Sequence, residues 1–175
     1  MNIAESKSYQ TILGYFWKTD PVEFTYPRFL DSFKKILLIM PRDKKSYNRL
    51  NLWREKIILA LGNKQIIVLS IGSQIESLHS WSQKPMLFTE TDVNFASIVS
   101  SRIVKDIMKN RFQLAIDLSP DFDFITAQIA LRAKIPTRIG IMSEKSISIG
   151  KKYFNIVVSG DYSHSYEQLV KLLSI

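Results

Sequence analysis

Apolar residues arrive in two rhythms along this chain, and each change of rhythm marks an element. Lys35–Met40 (KILLIM) is a continuous apolar run, as expected of a strand buried on both faces. Leu50, Trp53, Ile57, Ile58 and Leu61 then recur at helical spacing around Arg54, Glu55 and Lys56, and Gly62 and Asn63 are suitable C-terminal cap residues. Gln65–Ile71 reads as a second buried strand and Met86–Phe88 as a short third one. Asn94–Asn110 carries the clearest helical stripe, with Phe95, Ile98, Val99, Ile103, Ile107 and Met108 on one face. Phe112–Leu118 follows as the central strand. Ser119 then serves as N-cap, Pro120 takes the first helical position, and Asp121 and Asp123 favour the positive first turn. Ile125, Ile129 and Ala133 carry that helix to Pro136. Arg138–Met142 and Tyr153–Val158 are two further strands, and Tyr166–Leu173 is a closing helix.

Strands that alternate with helices imply βαβ units, and hence an α/β domain on a mostly parallel sheet with right-handed crossovers. The first 30 residues stand outside the alternation. Tyr9, Ile12, Leu13, Phe16 and Trp17 form an apolar stripe there, and Pro21 and Pro27 interrupt any helix. Such a stripe packs on the sheet or on a second copy of the chain, so a homodimer through this segment is one expected assembly. Peripheral docking on a membrane surface is the alternative, with only Lys7 and Lys18 nearby to favour it.

Composition narrows the function. The chain has 175 residues, 46% hydrophobic and 23% charged, which suits one globular domain. It contains no cysteine, which excludes disulfides and thiolate chemistry and fits a reducing compartment. The segment Met1–Lys7 has neither the charged start nor the apolar stretch of a signal peptide. No apolar run approaches the ~20 residues that span a bilayer, so a cytoplasmic location is expected. The net charge of +8 draws the chain toward polyanions in general. Its densest groups are Arg42, Lys44, Lys45, Arg49 and Arg102, Lys105, Lys109, Arg111, the second falling on the polar face of a predicted helix. With cations spread along the chain and no known RNA or DNA motif, nucleic acid is not the expected partner.

Candidate chemistry gathers around the central strand. After the first strand comes Met40-Pro41-Arg42-Asp43-Lys44, with no glycine before Gly62, so the backbone cannot cradle a pyrophosphate there. Ser70-Ile71-Gly72-Ser73 offers a single glycine. His79 and His164 are the only histidines, 85 positions apart, and no GxSxG elbow occurs, so neither a cofactor nor a metal is expected. Asp117, Asp121 and Asp123 cluster where a parallel strand meets its helix, the edge at which open α/β sheets bind ligands. Three acids there suit sugar hydroxyls or a cation and repel a phosphate, or Asp121 and Asp123 complement the helix dipole. Asp117 interrupts an apolar strand and needs a partner such as a backbone N–H or a base. Trp53 and Trp81 suit a core or an interface.

The run Arg111–Ile141 (RFQLAIDLSPDFDFITAQIALRAKIPTRIGI) holds Ile116-Asp117-Leu118, the polar turn Ser119–Asp123, the helix Ala127–Lys134, and Arg138-Ile139-Gly140. His164, Glu167 and Leu169 follow in the last helix, with Leu172, Leu173 and Ile175 behind them, and KKILLIM occupies Lys34–Met40. In these short motifs the chain resembles the N-terminal, acceptor-side half of the ADP-heptose:lipopolysaccharide heptosyltransferases, glycosyltransferase family nine. The resemblance covers most of the chain and implies a single Rossmann-like three-layer domain over 31–175 with an added N-terminal helical segment over 1–30. It also implies that Asp117, Ser119, Asp121 and Asp123 line a ligand edge. The family carries Gly-Asp after its first strand, with the acid as base toward the acceptor hydroxyl, whereas Lys45 and Ser46 stand at those positions here. Asp43 and Asp117 are then the candidates for a catalytic acid, and no catalytic residue is assigned. The family's second domain, which holds the nucleotide sugar, would begin near Ile175, and transfer needs donor and acceptor held together. The expectation is a stand-alone homologue, not catalytic alone, that binds a glycan or a partner protein. The alternatives are a transferase completed by a separate donor-binding chain, a hydrolase using Asp117 and Asp121, and a basic protein associated with nucleic acid.

Overall fold

The computed structural model describes residues 29–71, 78, 80, 81 and 85–175, and its sheet is built from the runs that the pattern marks. Strand β1 (Lys35–Ile39) shows why a continuous apolar run was needed. Ile36 and Leu38 face one helical layer and Leu37 and Ile39 the other, all with no exposed surface. The remaining strands are β2 (Gln65–Ile71), β3 (Met86–Phe88), β4 (Leu114–Asp117), β5 (Thr137–Met142) and β6 (Ile156–Ser159). They form one sheet in the order β3-β2-β1-β4-β5-β6, and every pairing is parallel.

Helices α1 (Lys44–Leu50), α2 (Arg54–Leu61) and α6 (Tyr162–Leu173) cover one face through Tyr47, Leu50, Ile57, Leu61, Tyr166, Leu169 and Leu173. Helices α3 (Ser101–Lys109) and α4 (Phe124–Arg132) cover the other, and the short α5 (Ile147–Gly150) packs beside α4. The result is the expected three-layer α/β domain, and its strand order makes it Rossmann-like. Residues 1–28 lie outside the described residues, and with them the N-terminal stripe; Phe29 and Leu30, in a 3-10 turn, are buried against the α6 face.

Several boundaries differ from the pattern, each for a local reason. The stripe over Asn94–Asn110 is helical only from Ser101, because the Asn94 side chain accepts the N–H groups of Ala96 and Ile98 and holds a loop. Ser100 then caps α3 by accepting from Ile103 N–H. The helical spacing over Leu50–Leu61 is split by a 3-10 turn at Asn51–Trp53. Tyr153 and Phe154 are core residues beneath α5 rather than part of β6. The last helix starts at Tyr162, because Asp161 accepts the His164 N–H as its cap. Ser119 does not cap the helix after β4: Asp123 does, through the Ile125 N–H at 2.9 Å. Trp81 is buried with its indole N–H on Asn51, and Trp53 stacks on Tyr166, so both belong to the packing.

Candidate functional site

Strand order reverses between β1 and β4, so the loops that leave their carboxyl ends diverge to opposite faces and open a crevice. The loop after β1 carries Arg42 and Asp43, and the loop after β4 carries Ser119, Asp121 and Asp123. Asp117 ends β4 with Ile39 and Gly140 as its lateral neighbours, which puts a carboxyl group inside the sheet at the switch point. It is 2% exposed.

Two donors meet that carboxyl. The Ser119 N–H reaches Oδ1 at 3.0 Å, and the Thr126 hydroxyl, one turn into α4, reaches Oδ2 at 2.6 Å. Burial pushes the Asp117 pKa up to about 7, and the Asp123 charge adds to the rise, while the Thr126 and Ser119 donors work against it. Ser119 Oγ is close enough to favour the charged carboxyl, yet it forms no hydrogen bond of ordinary geometry. Among the described residues it is the one buried side-chain oxygen or nitrogen left in that state.

The other acids are bound into the loops. Asp43 caps α1 through the Ser46 N–H at 2.8 Å; burial raises its pKa, but the donors of Ser46 outweigh that and hold it below the ordinary value. Asp121 accepts from the Phe122 N–H at 2.7 Å and from the Ser143 N–H and hydroxyl at 3.1 and 3.0 Å, tying the β4 loop to the β5 loop. Burial again opposes, and the donors from Ser146, Phe122 and Ser143 win, so Asp121 is a carboxylate. Asp123 Oδ2 accepts Arg42 Nε–H at 2.6 Å, an ion pair that bridges the crevice from the β1 loop to the β4 loop. Tyr166, fully buried on α6, donates its hydroxyl to the Leu118 carbonyl and fixes the same loop from below.

The crevice therefore unites Asp117, Ser119 and Asp123 in one network, with Asp43 on the facing loop and Asp121 turned toward β5. Sequence reasoning foresaw that Asp117 needs a backbone donor, and missed Thr126 and Arg42. Thr126 was findable as one of the two polar residues, with Gln128, in the apolar run of α4; Arg42 had no signal beyond membership of a basic group. His164 sits in the first turn of α6 with its ring beside Gln168, and His79 lies outside the described residues. Among the described residues no group of three His, Cys, Asp or Glu side chains could hold a metal ion, and no helix is long and apolar enough to cross a membrane. A groove of about 640 Å³ lies at the opposite edge, between the ends of α2 and α6, and none of Asp43, Asp117, Asp121 or Asp123 lines it.

Fold and crevice define a Rossmann-like α/β domain with a polar switch point that lacks a phosphate-binding glycine loop. No family model, curated protein or solved structure matches the chain.

Proposed function

We propose that the chain is a binding module akin to the acceptor-side half of the heptosyltransferases, holding a glycan at its switch point without catalysing on its own. A partner protein is the alternative occupant of that crevice. The observation that supports this reading is the engagement of Asp117 and Asp43, the two candidate catalytic acids. Asp117 has one donor on each oxygen, and Asp43 is the cap of α1. A general base needs a lone pair within reach of the substrate proton; the Asp117 oxygens are turned into the protein, and exposed Asp43 holds one oxygen on the Ser46 N–H. Hydroxyl-rich ligands suit the rim because the Asp121 carboxylate there accepts hydrogen bonds from hydroxyls.

One observation favours a second reading, a transferase completed by a donor-binding chain. A carboxyl that titrates near neutrality, as Asp117 does, is poised for acid–base work once a partner opens the crevice. One experiment tests the first reading. The isotope-labelled full chain, titrated with a heptose-containing oligosaccharide, is expected to show amide shifts confined to Arg42–Ser46 and Leu118–Phe124. Release of sugar from ADP-heptose by the chain alone would refute the binding-module reading.

A further inference from the structure

Cations that look scattered along the chain are brought together by the parallel sheet. All six strands start at the same edge, and the turns that lead into five of them carry lysine or arginine. Lys64 precedes β2, Lys34 precedes β1, Arg111 lies in the turn before β4, Lys134 before β5, and Lys151 and Lys152 before β6. Their order across the sheet is β2, β1, β4, β5, β6, four steps between neighbouring strands. At about 4.8 Å per step the row is about 19 Å long. Lys34, Arg111, Lys134, Lys151 and Lys152 are exposed and Lys64 is half-buried. None of the six forms an ion pair with a described residue.

Helix dipoles do not account for the row. The last turns of α3, α4 and α6 already hold Lys109, Arg132 and Lys171, and the row lies beyond those ends. Two of its members also sit where the backbone favours glycine. Arg111 and Lys134 follow the C-caps of α3 and α4 with φ of 54° and 55°, a left-handed conformation that strains a side chain. The turn after α2 has a glycine at its positive-φ position, the C-cap Gly62 at φ 58°. Keeping a cation at a strained position in two turns of the same edge points to a use outside the fold.

We infer that this amino-terminal edge of the sheet docks the phosphate backbone of a nucleic acid, without reading its bases. The turns between the cations present Asn63, Gln65, Asn110, Pro136 and Asn155. They offer no exposed aromatic residue on which bases could stack, and the large exposed apolar side chains nearest them, Leu59, Met108 and Ile175, lie at the ends of α2 and α3 and after α6 rather than in the turns. What remains is a line of charge, which suits a partner whose charges also run in line.

The test uses the full chain and a fluorescent duplex of about 20 base pairs, with binding followed by anisotropy as salt rises. With about five phosphates neutralised, log affinity is expected to fall with log salt at a slope of about −4 to −5, equally for unrelated sequences. Lys34→Gln, Lys64→Gln and Lys152→Gln together should make that slope shallower by about 3. Arg111→Gly with Lys134→Gly should weaken binding at every salt while the melting temperature stays level or rises. A wild-type slope shallower than about −2 overturns the inference. So does a drop in melting temperature with binding intact in the Arg111→Gly, Lys134→Gly variant, because the two cations would then be structural. Tighter binding to phosphatidylserine-containing vesicles than to the duplex would assign the edge to a membrane instead and also overturns it.

Discussion

The two edges of the same sheet treat charge in opposite ways. At the carboxyl edge Asp43, Asp117, Asp121 and Asp123 each accept hydrogen bonds from the loops and helices there, and Arg42 is pinned to Asp123 across the switch point. At the amino edge Lys34, Arg111, Lys134 and Lys152 reach into solvent with no ion partner among the described residues. The first pattern satisfies the chain's own loop ends, because buried carboxyls and orphan N–H groups each cost free energy unless they meet. Free cations satisfy nothing inside the molecule, and in Arg111 and Lys134 they oppose its backbone preference. Charge held by the fold and charge left over from it are thus separated by the length of one strand.

This contrast can be broken at the carboxyl edge first, where the largest effects are expected. Gly140 lies beside Asp117, and a Cβ there would stand 2.6 Å from the Phe154 ring. Gly140→Ala should destabilise by about 2 kcal/mol in urea denaturation, since the ring is held among Tyr153, Met142 and Phe124 and cannot withdraw freely. An unchanged midpoint would mean that this wall of the crevice yields.

Next comes the titration of Asp117. Its folded pKa of about 7 lies above the ordinary 3.8, so between those values the folded chain holds a proton that the unfolded chain has released. Stability should therefore fall as pH rises through this window, by at most about 1.4 kcal/mol per pH unit, and level off above pH 7. Asp117→Asn removes the titration, and its stability curve should lack that slope. If wild type and variant run parallel from pH 4 to 7, the carboxyl is already solvated. The smallest effect belongs to the amino edge, where Lys34→Gln or Lys64→Gln should shift stability by less than about 0.5 kcal/mol. A larger loss would show that these lysines serve the fold after all.

Core strands and layers were readable because apolar runs and helical stripes are enforced by burial over many residues. KILLIM and QIIVLSI leave no polar face to expose, so their place in the middle of a parallel sheet follows from composition. Helix ends were less legible, because several local caps compete. Ser119-Pro120-Asp121 satisfies every preference for a helix start, yet the Ser119 N–H is taken by Asp117 and the helix waits for Asp123. Asn94 loops its own backbone and delays α3 to Ser101 in the same way. The candidate site was legible as positions and not as contacts: the Asp117 carboxyl had to have a donor, but Thr126 and the Arg42 bridge are set by how α4 and the β1 loop cross the edge.

Periodicity in the chain was enough to dictate an α/β domain with β4 central, because period and burial are properties of neighbours in sequence. The gathering of charge is a property of strand order. Lys34 and Lys152 are far apart along the chain, and they share an edge only because the strands are parallel and run 3-2-1-4-5-6. The same crossovers that bury Asp117 at one end of β4 bring Arg111, at the other end, into line with lysines from four other strands.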